Sequence, residues 1–186
     1  MLQDLALQLS DGKNLTEEQV YAALRELVAD AVPAESKAAF LTALAQKGES
    51  ADEIAWFARS LRNLSISPPL DAETRARGIL DVVGTGGDRA CTFNLSTGAA
   101  LVAAAAGVTV AKHGNRAVTS QTGSADALEA LGIPIDPSPE EAAVSLREHG
   151  FAFFFAPRYH PAFNQIGPAR RLCAERGQRT LFNYLG

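Results

Sequence analysis

Three short stretches hold the residues best suited to chemistry. In Val83-Gly84-Thr85-Gly86-Gly87-Asp88, three of four consecutive positions after Val83 are glycine. Glycine lets the backbone turn tightly, reach positive φ and approach a ligand with no Cβ between them. The loop lacks the Lys-Ser/Thr ending of a P-loop and the spacing of a G-x-G-x-x-G dinucleotide loop, and by itself it reads equally as a sharp corner. The second stretch, Thr92-Phe93-Asn94-Leu95-Ser96-Thr97, places hydroxyls and an amide just before an alanine-rich helix. Ser96 or Thr97 is expected at its N-cap, where free N–H groups and the helix dipole favour an anion. An ordinary helix cap has the same sequence signature.

The third stretch, Lys112-His113-Gly114-Asn115-Arg116-Ala117-Val118-Thr119-Ser120, sets two cations on what reads as a turn, with Gly114 freeing the backbone between them. Arginine offers phosphate a planar fork and lysine a mobile point charge. Thr119 and Ser120 add neutral donors, and Ser124 opens a further helix. With three histidines and no H-x-x-x-H pair, His113 is expected to pack and hydrogen-bond rather than bind metal. Asp88 and Asp126 are the acidic candidates near a counter-metal. Brought to one crevice, these amides, hydroxyls and cations describe a site for a small molecule with more than one phosphate.

The elements that would position them change character along the chain. Residues 1–64 read as successive helices. Thr16 and Gln19 form a capping box before a stripe of Val20, Leu24, Leu27 and Val28. Phe40, Leu41 and Leu44 mark a helix that Gly48 closes, and Ser50 and Glu53 open another carrying Ile54, Phe57 and Leu61. A stripe is ordinarily core, with any surplus available to a second subunit. Ser65–Asp71, with Pro68 and Pro69, is a linker, so the organisation reads as a helical domain and linker over 1–70 and a partial α/β domain over 71–186. Apolar runs at 79–83, 108–111 and 151–155 read as strands buried on both faces. Helices are expected at 97–106, 124–131 and 139–149, the last with Ser138 as cap, Pro139 at the first position and Gly150 past its end. Strands alternating with helices imply an α/β fold with a parallel sheet, whose ligands sit at the carboxyl ends of its strands.

Composition bounds the partners. The 186 residues carry 17 basic and 21 acidic side chains, a net charge of −4. That balance speaks against nucleic acid as a general polyanion partner. The hydrophobic fraction of 47% suits a packed core rather than a disordered chain. Two cysteines, Cys91 and Cys173, make neither a disulfide framework nor a metal cluster and fit a reducing cytoplasm. The first residues have an early Asp4 and no basic flank, unlike a secretory signal, and the longest apolar run, 99–106, is too short to span a bilayer.

Gly84–Asp88, Thr92–Thr97, Lys112–Ser120 and Gly123-Ser-Ala-Asp126 together resemble the anthranilate phosphoribosyltransferase family. Leu128–Gly132, Phe155-Ala-Pro157, His160-Pro-Ala162 and Arg179–Asn183 fit the same pattern in the same order. Pyrimidine nucleoside phosphorylases share the Lys-His-Gly-Asn-Arg stretch, but their first glycine loop differs. The resemblance implies transfer of phosphoribosyl from 5-phosphoribosyl 1-diphosphate to anthranilate, with release of pyrophosphate, in tryptophan biosynthesis. It assigns Gly84, Gly87, Asp88, Thr92, Asn94, Leu95, Ser96 and Thr97 to the phosphoribosyl diphosphate. Lys112, His113, Gly114, Asn115, Arg116, Ala117, Val118, Thr119, Ser120 and Ser124 complete that site. Gly84, Asn115 and Arg170 would face anthranilate, and Ser96 would join a Mg2+ shell. No residue is assigned as acid, base or nucleophile. A cytoplasmic homodimer through the N-terminal helices is also implied.

The family pattern is shorter than Leu172–Gln178 between the Arg170 pair and Arg179, so a lengthened helix that displaces Arg170 is one expectation. The pattern also continues past Gly186, into further sheet and an adjacent Asp-Glu pair for Mg2+. The expectation is therefore the N-terminal part of such an enzyme, inactive alone. The alternatives are a phosphorylase-like or nucleic-acid-binding relative, or a non-catalytic module that binds phosphoribosyl diphosphate.

Overall fold

The computed structural model describes residues 1–83, 94–116 and 122–185. Its contacts divide the chain into two units, Met1–Ser65 with His160–Gly186, and Ile66–Tyr159. Residues 160–186, expected with the α/β region, thus pack with the helices.

In the helical unit, α1 (Leu2–Ser10), α2 (Glu17–Val28), α3 (Ala34–Lys47), α4 (Ala51–Asn63) and α10 (Pro161–Glu175) surround one core. Both expected capping boxes are present: Thr16 accepts the Gln19 amide and Ser50 the Glu53 amide, with each N3 side chain returning the bond. Gly48 leaves α3 at a φ of 86°, which a side chain would oppose. Val20, Leu24 and Leu27 of α2 meet Phe40, Leu41 and Leu44 of α3 and Phe57 and Leu61 of α4 in that core. Helix α10, anticipated only as the helix that 172–178 would lengthen, packs against this core. It adds Ala162, Ile166, Ala169 and Cys173 along one stripe, and Leu181 and Phe182 close the same core. Segment 172–178 carries α10 to Glu175 and turns at Gly177.

Glu53 ties this unit together. Its carboxylate is fully buried and accepts the Leu15 amide (2.8 Å), the Ser50 amide (2.7 Å) and the Lys47 ammonium (2.7 Å). Lys47 also donates to Asn14 (2.7 Å), so the α1–α2 loop, the end of α3 and the start of α4 meet at one ion pair.

The second unit contains β1 (Val110–Gly114) and β2 (Phe151–Phe155), paired in parallel from Val110↔Phe151 to Gly114↔Phe155. Strand β2 alternates with period two. Phe151, Phe153 and Phe155 pack with Leu101 of α6 (Leu95–Ala105) and with Ala125 and Leu128 of α7 (Ser124–Ala130). Ala152 and Phe154 pack with Ala142 and Leu146 of α8 (Pro139–His149) and with Tyr159. Helix α8 has the expected ends, with Ser138 capping, Pro139 at the first position and Gly150 left-handed at φ 67°. This helices-on-both-faces arrangement is the α/β class with parallel pairing that the alternation implies.

Two strands differ from expectation. The run 79–83 reduces to one bridge, in which Leu80 donates to Thr109 O and accepts from Ala111 N, both at 2.9 Å. The next rung does not form because the Asp81 carboxylate takes the His113 amide (3.5 Å), and Leu80 and Val83 are exposed rather than doubly covered. The run 108–111 shifts to Val110–Gly114. Helix α6 exits through Gly107 at φ 90°, with Gly107 N donating to Ala104 O and Val108 N to Ala103 O. That Schellman closure commits Val108 to the helix end, so the strand starts later. No helix among the described residues is long and apolar enough to cross a membrane.

The Glu53 carboxyl feels two opposed effects. Burial raises its pKa, but the Leu15 amide, Lys47 and the Ser50 amide outweigh that and hold it below the ordinary 4.5. Its contribution to stability is therefore complete above that value and is lost as pH falls through the lower folded value. Glu53→Ala strands a buried Lys47 and is expected to cost about 3–5 kcal/mol. Urea unfolding of the wild type and the variant between pH 3 and pH 7 checks both the loss and its disappearance in acid.

Candidate functional site

Apart from Arg170, the described site residues lie within and just after β1 and at the first turns of α6 and α7. Asn94, not Ser96 or Thr97, is the N-cap residue of α6. Its side chain does not cap the helix but donates to Gly123 O (3.1 Å), fastening the start of α6 to the start of α7. Leu95, Ser96 and Thr97 consequently occupy the first helical turn, whose N–H groups have no carbonyl within the helix to meet. Helix α6 spans 11 residues, so its dipole and these amides make its start favourable to an anion. Thr97 is buried, and its hydroxyl has no hydrogen-bond partner among the described residues.

Lys112, His113 and Gly114 sit inside β1 rather than on the turn that follows it, which corrects the sequence expectation. The reason is the displaced strand start at Val110. Lys112 is only 2% exposed, and its Nζ donates to His113 O (2.9 Å). Burial pushes its pKa down, while the charge of Asp81 opposes part of that shift. No ion pair to Lys112 occurs among the described residues, so a cation stands at the strand end without a carboxylate in contact. His113 packs its ring with Phe154 and Tyr159, both at 6.3 Å between centroids, in the packing role expected of it.

Gly114 is a glycine for a different reason from the one its neighbours suggest. Its φ is not positive. A Cβ there would collide with Ser124 Oγ and lie 2.9 Å from the Phe153 ring. The missing side chain thus allows α7 to approach the strand, and Ser124 Oγ and Ala125 N both donate to Asn115 O at 3.2 Å. Asn115 uses its own side-chain oxygen on Arg116 N (2.8 Å). Arg116 is exposed and paired with Asp126 and Glu129 of α7. Asp126, a candidate near a counter-metal from sequence, therefore serves the arginine and the Gly123 amide (2.8 Å). Glu129 had no expected role; its signal was the 126/129 spacing, which puts two carboxylates on one helix face.

The described residues thus bring Asn94, Ser96, Thr97, Lys112, Asn115 and Ser124 to neighbouring element ends within one unit. Gly84, Gly87, Asp88, Thr92, Ala117, Val118, Thr119 and Ser120 lie outside the described residues, as does Cys91. Among the described residues no group of three or more His, Cys, Asp or Glu can hold a metal ion. Ser96 adds only a neutral hydroxyl, so these residues alone do not fit a Mg2+ site, which needs a carboxylate-bearing oxygen shell.

Arg170 belongs to the helical unit. Its guanidinium carbon lies 5.8 Å from the Phe163 ring centre and 5.4 Å from that of Phe182. The two rings meet edge to face at 5.6 Å, and Phe182 is fully buried. Burial lowers the Arg170 pKa, and no salt bridge to it occurs among the described residues. An aromatic corner holding a cation without a carboxylate is suited to an anionic group on an aromatic ligand.

Comparison with known proteins gives a consistent result. Residues 3–65 match the helical bundle domain of the glycosyl transferase family, and residues 76–186 match its a/b domain. An anthranilate phosphoribosyltransferase of Chlorobium phaeovibrioides is 47% identical over 178 residues, covering 96% of this chain and 48% of that protein. The crystal structure of the Thermus thermophilus enzyme of that name superposes with a TM-score of 0.81 at 45% identity, over 98% of this chain and 54% of its own. The Saccharomyces cerevisiae enzyme in complex with PRPP and Mg gives 0.83 at 29% identity, over 100% of this chain and 53% of its own. The chain spans about half the length of the curated relatives it matches.

Gly114→Ala is expected to destabilise the second unit by about 1–3 kcal/mol, because the strand and α7 must part to admit the methyl group. Differential scanning calorimetry on the variant checks this; an unchanged transition would mean that the close approach is not tight.

Proposed function

The chain belongs to the glycosyl transferase family, and we propose that it is the N-terminal part of an anthranilate phosphoribosyltransferase. The proposed reaction joins the amine nitrogen of anthranilate to C1 of 5-phosphoribosyl 1-diphosphate. The C1–oxygen bond to the diphosphate breaks, pyrophosphate leaves with that electron pair, and the amine gives up a proton. Such a reaction belongs to tryptophan biosynthesis.

The observation that supports this reading most directly is the buried Lys112 at the end of β1. A desolvated cation with no carboxylate in contact among the described residues stabilises charge building on a leaving diphosphate more strongly than a solvated one. The first-turn amides of α6, the Thr97 hydroxyl and Ser124 add neutral donors of the kind that phosphate oxygens accept. A buried hydroxyl left unmet costs about 1–3 kcal/mol, which a ligand oxygen would offset. Gly84, Gly87, Asp88, Thr92 and Ala117–Ser120 are proposed for the same substrate on resemblance alone. Gly84, Asn115 and Arg170 are proposed for anthranilate on resemblance, Arg170 for its carboxylate. Holding the aromatic amine behind C1 supplies the rest through proximity, and no strong nucleophile is required of the protein. Mg2+ is proposed to accompany the diphosphate. Ser96 is the hydroxyl this chain offers it, and its other ligands come from substrate, water or residues elsewhere.

The test uses the full-length enzyme of this sequence with anthranilate, phosphoribosyl diphosphate and Mg2+. Lys112→Ala is expected to raise the KM for the phosphorylated substrate, and Arg170→Ala that for anthranilate, each by roughly 10- to 100-fold, the worth of a charged hydrogen bond. Unchanged constants in both would reject the assignment. Residues 1–186 alone are expected to show no turnover, and robust product formation by them would overturn that.

A homodimer is proposed through the N-terminal helices. Its support is the exposed Leu7 beside a groove of about 480 Å³ between α1 and α3, which is bordered by Leu2, Ala6, Ala39 and Ala43 and equally by polar residues such as Gln3, Gln46 and Arg176. Light scattering on the purified chain decides this; a monomeric mass rejects it. A cytoplasmic location is proposed with the biosynthetic role.

A further inference from the structure

Arg116 falls in a stretch proposed to grip a phosphorylated sugar, yet its guanidinium is already engaged. Nη1 donates to Asp126 Oδ1 (3.0 Å) and Glu129 Oε2 (2.8 Å), and Nη2 donates to Glu129 Oε1 (3.0 Å). The Glu129 contact is a two-pronged fork, the geometry in which arginine holds a carboxylate most firmly. Two carboxylates on one arginine leave a local excess of negative charge, which does not favour a phosphate arriving at that same guanidinium. The groups reinforce one another, since the bond from Arg116 holds the Glu129 pKa below its ordinary range.

The same two segments are joined by two more hydrogen bonds, both to Asn115 O, and a third steadies the start of α7 itself. Asp126 uses its second oxygen on the Gly123 amide (2.8 Å). Ser124 Oγ and the Ala125 amide both donate to Asn115 O. The arginine therefore pins the end of β1 to the first turn of α7 at the point where Asn115 and Ser124 face each other. Gly114, which a methyl group would drive into Ser124, makes that contact possible.

We propose that Arg116 is a positioning residue and not a phosphate ligand: its clamp on Asp126 and Glu129 fixes Ser124 against Asn115, in the arrangement that receives the phosphorylated sugar. The inference rests on the phosphoribosyl diphosphate site proposed above.

Calorimetric titration of the full-length enzyme with 5-phosphoribosyl 1-diphosphate separates the two roles. If Arg116 bound phosphate directly, Glu129→Gln would release the arginine and leave affinity unchanged or improved. The clamp demands the opposite sign, a loss of roughly three- to fivefold, the size that an exposed ion-pair network is worth. Arg116→Glu weakens binding under either role, but adding Glu129→Arg rebuilds the pair with its charges exchanged. The clamp requires the double variant to bind better than Arg116→Glu alone, and equal weakness of the two would overturn it. Hydrogen exchange at the Ala125 amide gives a readout free of ligand: faster in Glu129→Gln and restored in the double variant if the clamp holds. A wild type that fails to bind the phosphorylated sugar rejects the proposed site, and the exchange result then still decides whether the ion pair sets the turn.

Discussion

The parallel pairing of β1 with β2 is the constraint on which the second unit depends. Its register sets Lys112 opposite Phe153 and Gly114 opposite Phe155. An ammonium is thereby carried into a wall built from phenylalanine rings and alanine-rich helices, where water cannot shield it. Slipping the register by one residue would turn Lys112 to the other face and bring His113 to its place. The hydrophobic run Phe151–Phe155 resists such a slip, because its alternating side chains fill two different cores. The strand with no chemistry of its own thus dictates where the chemical groups of its neighbour point.

The ends of elements were legible in the sequence wherever a local rule decides them. Thr16, Ser50 and Ser138 start helices because a short hydroxyl side chain can meet an amide three residues on, a bond that depends on nothing distant. The chemistry-bearing stretches were legible as well, since clustered glycines, hydroxyls and cations seldom share a core. What each cation does was not. Lys112 and Arg116 are four residues apart and look alike in the sequence, yet one is enclosed by the sheet and the other is clasped by α7. That difference arises from a strand start displaced by the closure of α6, and from carboxylates ten and thirteen residues downstream.

The same limit explains the glycine at 114 and the missing strand at 79–83. Glycine reads from sequence as a conformational device, whereas here the space beside it is taken by Ser124. The apolar run before the glycine-rich loop reads as a buried strand. Its Asp81 diverts an amide of β1 from the ladder, and one aspartate outweighs four aliphatic neighbours. Helix α10 is hard to read from the sequence because Gly167 and Pro168 interrupt its pattern, although Ala162, Ile166, Ala169 and Cys173 still form a continuous buried stripe.

That helix has a kinetic consequence. The helical unit is interrupted in sequence, with residues 66–159 intervening between its two parts. Ile166, Phe182 and their neighbours fill the same core as Leu24 and Leu44, so the core stays open until the ribosome has released residues 160–185. Helices α2 and α3, which α10 covers, must wait with an oily flank unpaired while the intervening segment is made. Closing so distant a contact carries an entropic penalty that local helix formation cannot offset early. During that interval the nascent bundle is a natural client for a chaperone.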